Sequence, residues 1–150
     1  YRARDHRVLV QHVPLLVSQG RLTWTVFHET VHAALALAGT GRIPVWLEEG
    51  SAIFFSEQEL LEPEAEQSGA RSITELETRI RGLSARSDEA AWRALRRYHA
   101  QARAIVQNLV SRGDRERFVA FLRTLKNGTP FGQALQSWYE LTPADLAAWL

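Results

Sequence analysis

The chain contains no cysteine and no methionine among its 150 residues. Without cysteine it can form neither a disulfide nor a thiolate metal site, so any bound metal ion must take histidine, aspartate or glutamate. No apolar run approaches the roughly 18 residues that a membrane-spanning helix needs, so we expect no membrane segment in this chain. Because it begins at Tyr1 and lacks methionine throughout, we expect it to be trimmed from a longer polypeptide that can carry further domains upstream.

Lysine is nearly absent as well, since Lys126 is the only one and arginine supplies the remaining positive charge. The formal net charge is only +1, with glutamates concentrated between residues 48 and 66 and arginines between residues 93 and 123. We interpret the two stretches as solvated faces of the protein. A nucleic-acid-binding domain is more basic overall, so the composition predicts no nucleic-acid partner.

Apolar residues make up 45% of the sequence and charged residues 23%, which is ordinary for a globular protein. We expect one domain over residues 1–150. The alternation of apolar and polar residues in RVLVQHV, residues 7–13, predicts a strand that Pro14 ends. Helical periodicity follows, so the predicted fold class is mainly α, or α+β with at most a small β element at the N-terminus.

Two predicted helices carry the motifs of interest, and a short loop between them lets the second fold back on the first. Helical periodicity runs from Thr23 to Ala38, with Thr23 as the expected N-cap and Gly39 as the residue after the helix end. The second helix is expected from Val45 to about Glu59.

The remaining helices are predicted from their capping patterns. An S-x-x-E capping box of Ser72 and Glu75 opens a helix to about Leu83. Serine, aspartate and threonine-proline patterns predict the others: a helix over residues 88–111 capped by Ser87, one from Asp114 to the Asn-Gly pair at 127–128, and helix starts at Thr129-Pro130 and Thr142-Pro143.

An H-E-x-x-H motif lies on the first of these helices, within FHETVHAAL at residues 27–35. His28 and His32 are four residues apart, so both side chains project from one face and can reach one metal ion. Two neutral imidazoles, one carboxylate and an open fourth position form the ligand set of a hydrolytic zinc centre. Glu29 lies at the edge of the same face, where it can touch the attacking water instead of the metal, as a general base must.

A third ligand is available on the second helix, within PVWLEEGSA at residues 44–52. Glu48 and Glu49 are adjacent and point about 100° apart, so only one of them can be aimed at the metal. Gly50 follows, and we expect its missing side chain to let the two motif helices approach closely. Trp46 is expected to pack in the core and hold this helix in place.

H-E-x-x-H followed by W-L-x-E-G-x-A resembles the gluzincin zinc metallopeptidases, in particular the bacterial peptidase MA-like domains. Residues 98–135 also resemble the helical C-terminal half of those domains, and the resemblance as a whole covers about residues 20–149. It implies a zincin-like fold with an active-site helix, a glutamate helix and a helical C-terminal half.

The resemblance also assigns roles to residues. It implies one zinc ion per chain bound by His28, His32 and Glu49, with Glu29 as the general base. Glu48 occupies the variable position of the motif and is expected to be a solvated surface charge. In such enzymes a tyrosine or histidine from a later helix stabilises the oxyanion, which makes Tyr98 the first candidate and the adjacent His99 the second.

The sequence departs from the family pattern in two ways. Where thermolysin-like enzymes carry an aspartate that orients a ligand histidine, this chain has Ile53, so Thr25, Ser56 or backbone carbonyls are expected to orient the ligands. The glycine-rich motif of aminopeptidases is absent, which favours cleavage of internal bonds in a peptide or protein substrate. The alternative is an inactive pseudo-peptidase that serves as a binding module. Relatives of this kind are often exported, which favours a location outside the cytoplasm.

Overall fold

The computed structural model describes residues 13–56, 69–86 and 88–150. These residues are mainly helical and contain no strand, which confirms the mainly α class. No helix among them is long and apolar enough to cross a membrane. In chain order the helices are α1 (Val13–Ser18), α2 (Leu22–Leu37), α3 (Val45–Phe55), α4 (Ile73–Ser84), α5 (Glu89–Arg112), α6 (Arg115–Lys126), α7 (Phe131–Tyr139) and a final 3-10 helix (Asp145–Trp149).

The N-terminal region differs from the prediction where it is described. The predicted strand at residues 7–13 lies outside the described residues except for its last residue, Val13, which begins α1. Pro14 therefore lies in the first turn of a helix instead of ending a strand, and its fixed φ suits that position. A turn follows α1, with Gly20 in a left-handed conformation at φ 65°.

The two motif helices form close to where the sequence predicts them. Thr23 is wrong as the N-cap of α2, because the helix begins earlier and its cap, Arg21, is already in the right-handed helical region. Gly39 follows the C-cap of α2 as expected, with φ 151°. Helix α3 begins at Val45 as predicted but ends at Phe55, before the expected end near Glu59, which lies outside the described residues.

The caps of the later helices are mostly confirmed. Ser72 accepts a hydrogen bond from the Glu75 amide at the start of α4, and Asp114 accepts one from Arg117 at the start of α6. Asp88 caps α5 by accepting from the Ala91 amide. The predicted cap Ser87 lies outside the described residues, and Asp88 has the better acceptor for this role because its carboxylate is charged.

The two threonine-proline pairs do not cap helices as predicted. Pro130 is itself the N-cap of α7, with no side-chain cap, because its extended backbone (ψ 142°) directly precedes the first helical residue. Thr142 donates from both its amide and its hydroxyl to the Asp145 carboxylate, at 2.7 Å each. That local pairing directly precedes a 3-10 helix instead of an α-helix.

The packing centres on α3 and α5, which cross at a close approach. A Cβ atom at Gly50 of α3 would lie 2.6 Å from the backbone oxygen of Ala102 of α5 and 3.1 Å from a methyl carbon of Val106. We expected the missing side chain of Gly50 to let α2 and α3 approach closely, and that prediction is wrong. The helix that approaches α3 at Gly50 is α5. Helix α2 packs on α3 elsewhere, and α4 packs against both α3 and α5.

Helix α3 is fixed at its N-terminus by two contacts. Trp46 is fully buried, as expected, and its ring meets the edge of Phe131 with ring centres 5.8 Å apart. The Trp46 amide donates to the Glu77 carboxylate of α4 at 3.0 Å. This carboxylate satisfies a backbone donor that the helix itself leaves free, at the positive end of its dipole. Glu48 and Glu49 follow in the same firmly held turn.

Candidate metal centre

Three side chains from α2 and α3 converge on one point. The Nε2 atoms of His28 and His32 are 3.1 Å apart. The Glu49 Oε2 atom lies 3.6 Å from Nε2 of His28 and 3.8 Å from Nε2 of His32. Potential ligand atoms of all three residues lie within 4.8 Å of one another. Ligand atoms about 2.1 Å from a tetrahedral zinc ion are separated by about 3.4 Å, so this spacing fits such an ion.

The local fold explains why these three residues meet. The two histidines share a face of α2 because they are one helical turn apart. Leu35, one turn further along, is the buried residue of α2, so the same side of the helix is turned towards the core. After α2 the chain bends at Gly39 and returns as α3, which packs directly against α2 and brings Glu49 to the histidines.

The apolar residues at the start of α2 are not part of this packed face. Val31 packs against the core cluster, whereas Phe27 is 57% exposed. Phe27 lies one turn before Val31, beyond the part of α2 that reaches the core. Trp24 is half-buried, with the Arg21 guanidinium 4.8 Å from its ring centre.

The electrostatics of the site favour an anionic Glu49. Burial raises the pKa of this carboxyl, but the close approach of His28 and the charge that the neighbouring imidazoles can carry outweigh that effect, so its pKa lies below the ordinary value. Glu49 is thus a carboxylate at neutral pH, which is the form that binds a metal ion.

The pKa of His32 is raised. Burial lowers it, but the hydrogen bond to Glu48 and the negative charges of Glu49, Glu48 and Glu29 have the larger combined effect. Protons therefore compete with a metal ion for His32, and metal binding must release them. Glu29, which is half-buried beside His28, adds negative charge that helps to raise the pKa of His32.

His99 of α5 is the fourth ionisable group at this point. Its Nε2 atom lies 3.8 Å from Oε2 of Glu49, and within the described part of the chain it has no hydrogen-bond partner. Burial lowers the pKa of His99, and the opposing effect of Glu49 does not restore it, so the imidazole is neutral at neutral pH. A neutral imidazole there can donate or accept one hydrogen bond at Nε2.

Tyr98, the first candidate for the oxyanion role, lies in different surroundings. It is only 7% exposed and belongs to the core cluster, with the Arg97 guanidinium 5.9 Å from its ring centre. Of the two adjacent α5 residues, His99 is therefore the one with a contact to the three converging side chains.

Glu48 also contacts the site, which the sequence did not reveal. Its Oε1 atom lies 3.2 Å from Nδ1 of His32, so it is not a free surface charge. The residues expected to orient the ligands do something else: the Thr25 hydroxyl donates to the Arg21 carbonyl at 2.8 Å, and the Ser56 hydroxyl to the Ile53 carbonyl at 3.2 Å.

Comparisons with known proteins leave the site to be interpreted from its own geometry. No protein-family model, no curated protein and no solved structure gives a match to this chain. The gluzincin resemblance thus rests on the sequence of this chain alone, whereas the convergence of His28, His32 and Glu49 is a property of the fold.

Proposed function

We propose that this chain is a zinc-dependent metallopeptidase domain of the gluzincin type that hydrolyses internal peptide bonds. One zinc ion per chain would be held by His28, His32 and Glu49. The observation that carries the proposal is the convergence of these three residues from two helices, with ligand atoms within 4.8 Å. Two imidazoles and a carboxylate with room for a fourth group are typical of catalytic zinc, whereas structural zinc sites are closed by four protein ligands.

When held by His28, His32 and Glu49, a zinc ion would supply Lewis acidity, which polarises a carbonyl oxygen and lowers the pKa of water towards neutrality. The chain then has to move a proton. Glu29 is placed beside His28 and is not among the three converging residues, so we give it no ligand role. We assign it to remove the proton from the attacking water and to deliver it to the leaving amine.

The developing negative charge on the substrate carbonyl oxygen needs a hydrogen-bond donor. His99 fits this role because its Nε2 atom is close to the ligand Glu49 and has no partner among the described residues. Its lowered pKa keeps it neutral, so it can donate from Nε2 without requiring a protonated ring. Tyr98 remains the alternative donor on the same helix.

The test of the proposed function is the substitution Glu29→Gln, measured with zinc-loaded protein and a pool of internally quenched peptides. Glutamine keeps the shape of the side chain but cannot accept a proton, so we expect zinc to be retained and cleavage to fall by about 10²–10⁴-fold. Glu116→Gln, on an exposed residue of α6, is the matched control and should cleave like the native chain. A chelator must abolish native cleavage.

Two outcomes would count against the proposal. If Glu29→Gln retains zinc and cleaves at the native rate, Glu29 is not the general base and the mechanism is wrong. If the native chain binds zinc and cleaves no peptide in the pool, the chain is a metal-binding pseudo-peptidase instead of an enzyme.

A further inference from the structure

The carboxylate of Glu48 is neither a member of the three-residue ligand group nor part of the proposed reaction. Its Oε1 atom lies 3.2 Å from Nδ1 of His32, with the two side chains 35% and 13% exposed, respectively. The contact is thus at the rim of the site, with the histidine on the buried side. A carboxylate oxygen accepts and cannot donate when ionised, so the proton in this hydrogen bond belongs to His32 Nδ1.

That proton position determines what the other ring nitrogen can do. In a neutral imidazole only one nitrogen carries hydrogen, so Nδ1–H leaves a lone pair on Nε2. The Nε2 atom of His32 is the one that lies near Nε2 of His28 and near Oε2 of Glu49. The hydrogen bond to Glu48 therefore selects the tautomer that can bind a metal ion at the point of convergence.

Glu48 and Glu49 lie on opposite sides of the His32 ring. They are consecutive on α3, and the first faces Nδ1 while the second faces Nε2. Rotation of the imidazole would break the hydrogen bond between Nδ1 and Glu48. His28 has no such support, because its Nδ1 atom is buried without a hydrogen-bond partner in the described part of the chain. Of the two histidines, His32 is thus the one that is oriented in advance.

We propose that Glu48 is a positioning residue that fixes His32 in its Nδ1–H tautomer and in the ring orientation needed for metal binding. The inference rests on the proposed function for the identity of the ion as zinc, whereas the hydrogen bond is independent of it. Thermolysin-like enzymes orient a ligand histidine with an aspartate at the position of Ile53, and here Glu48 would supply that carboxylate instead. Substitution of such partners of a ligand histidine typically lowers metal affinity about 10–100-fold.

The experiment compares Glu48→Ala, Glu48→Gln and the control Glu116→Ala. The control removes a carboxylate from the first turn of α6, as Glu48→Ala does from the first turn of α3. Zinc affinity is measured by competition with a chromophoric chelator. We expect Glu48→Ala to bind one zinc ion per chain with about 10–100-fold lower affinity. Glu48→Gln should lie closer to the native chain, because its amide oxygen can still accept from Nδ1. The control should match the native chain.

The second readout is the tautomer of His32 in the metal-free chain, from long-range proton–nitrogen correlation spectra at a pH where the ring is neutral. We expect Nδ1–H in the native chain and a shift towards Nε2–H in Glu48→Ala. A native ring that carries its proton on Nε2, or a Glu48→Ala chain with native zinc affinity, would overturn the proposal. If the native chain binds no zinc, the proposed function fails, and the tautomer alone then decides whether Glu48 orients His32.

Discussion

At the scale of single residues, Tyr98 and His99 are adjacent on α5 but differ in what they can reach. We expect His99→Ala to keep its zinc and to lose about 10²–10³-fold in kcat, as loss of an oxyanion donor does elsewhere. Tyr98→Phe keeps the buried ring and should retain kcat within a few-fold. Steady-state kinetics on a single quenched peptide separates kcat from KM. A larger loss in Tyr98→Phe than in His99→Ala would reverse the assignment.

Tyr139 of α7 gives a prediction on pH that is independent of the metal centre. Burial raises the pKa of its hydroxyl to about 12, and the hydroxyl has no hydrogen-bond partner among the described residues. Because the unfolded chain ionises first, near pH 10, the contribution of Tyr139 to stability is complete below that pH and is lost as the pH rises towards and through about 12.

Tyr139→Phe should therefore be at least as stable as the native chain at pH 7 and should lose less stability between pH 7 and pH 11. The substitution removes a buried hydroxyl whose desolvation is not compensated. Urea midpoints at the two pH values measure both effects. Parallel losses in the two chains would show that Tyr139 ionises equally in the folded and unfolded states.

The residues proposed as metal ligands could be named from the sequence, whereas the hydrogen-bond partner of His32 could not. His28 and His32 are fixed relative to each other by helical spacing, and Glu49 was placed by its motif, so the ligand set could be stated from the sequence. The contact of Glu48 could not, because it depends on how α3 is rotated against α2. Thr25 and Ser56 donate instead to backbone carbonyls four and three residues earlier, a local pairing that serine and threonine hydroxyls make readily.

At the scale of helices, Gly50 and Gly82 form a matched pair for substitution by alanine. At Gly50 the new methyl group would lie 2.6 Å from backbone oxygen of α5, so the two helices would have to separate. We expect a loss of about 1–3 kcal/mol from this overpacking, offset only in part by the better helix propensity of alanine. At Gly82 of α4 nothing lies within 4 Å of the added Cβ, so alanine should stabilise by up to about 1 kcal/mol.

Chemical denaturation of the two variants measures both changes. The difference in sign is the decisive feature, because the residue change is the same and only the surroundings differ. A Gly50→Ala chain as stable as Gly82→Ala would mean that α3 and α5 do not approach each other as closely as described.

The start of a helix could be predicted from the sequence where a side chain close by in the sequence caps it. Ser72 and Asp114 cap their helices through side chains three residues away in sequence, and the sequence shows both. The caps of α2 and α7 were predicted wrongly, because Arg21 and Pro130 form no side-chain cap. Nor could the sequence show that Gly50 faces α5, since helical periodicity identifies a buried face but not the helix that covers it.

At the scale of the whole molecule, α2 is held less firmly than the helices around α5. Its one buried residue is Leu35, and Val26, Phe27 and Leu37 are large apolar side chains that remain exposed. A zinc ion shared by α2 and α3 would tie this helix to the core. We therefore expect zinc to slow amide hydrogen exchange in α2 much more than in α6 or α7, because exchange reports local opening.

The control for this prediction is His28→Ala, in which zinc should leave the exchange of α2 unchanged. Zinc at about 100 times its dissociation constant should also raise the free energy of unfolding of the native chain by about 2.7 kcal/mol. Protection of α2 no greater than that of α6 and α7 would contradict the prediction that zinc suppresses local opening of α2.

The most direct measurement of the central claim is the zinc content of the purified chain, determined by atomic emission beside His28→Ala and Glu49→Ala. The three-ligand site predicts about one zinc ion per native chain, removable by a chelator, and close to none in either variant. A native chain with no more zinc than His28→Ala would contradict it. The motif would then be two histidines one helical turn apart, packed against a glutamate without a metal ion.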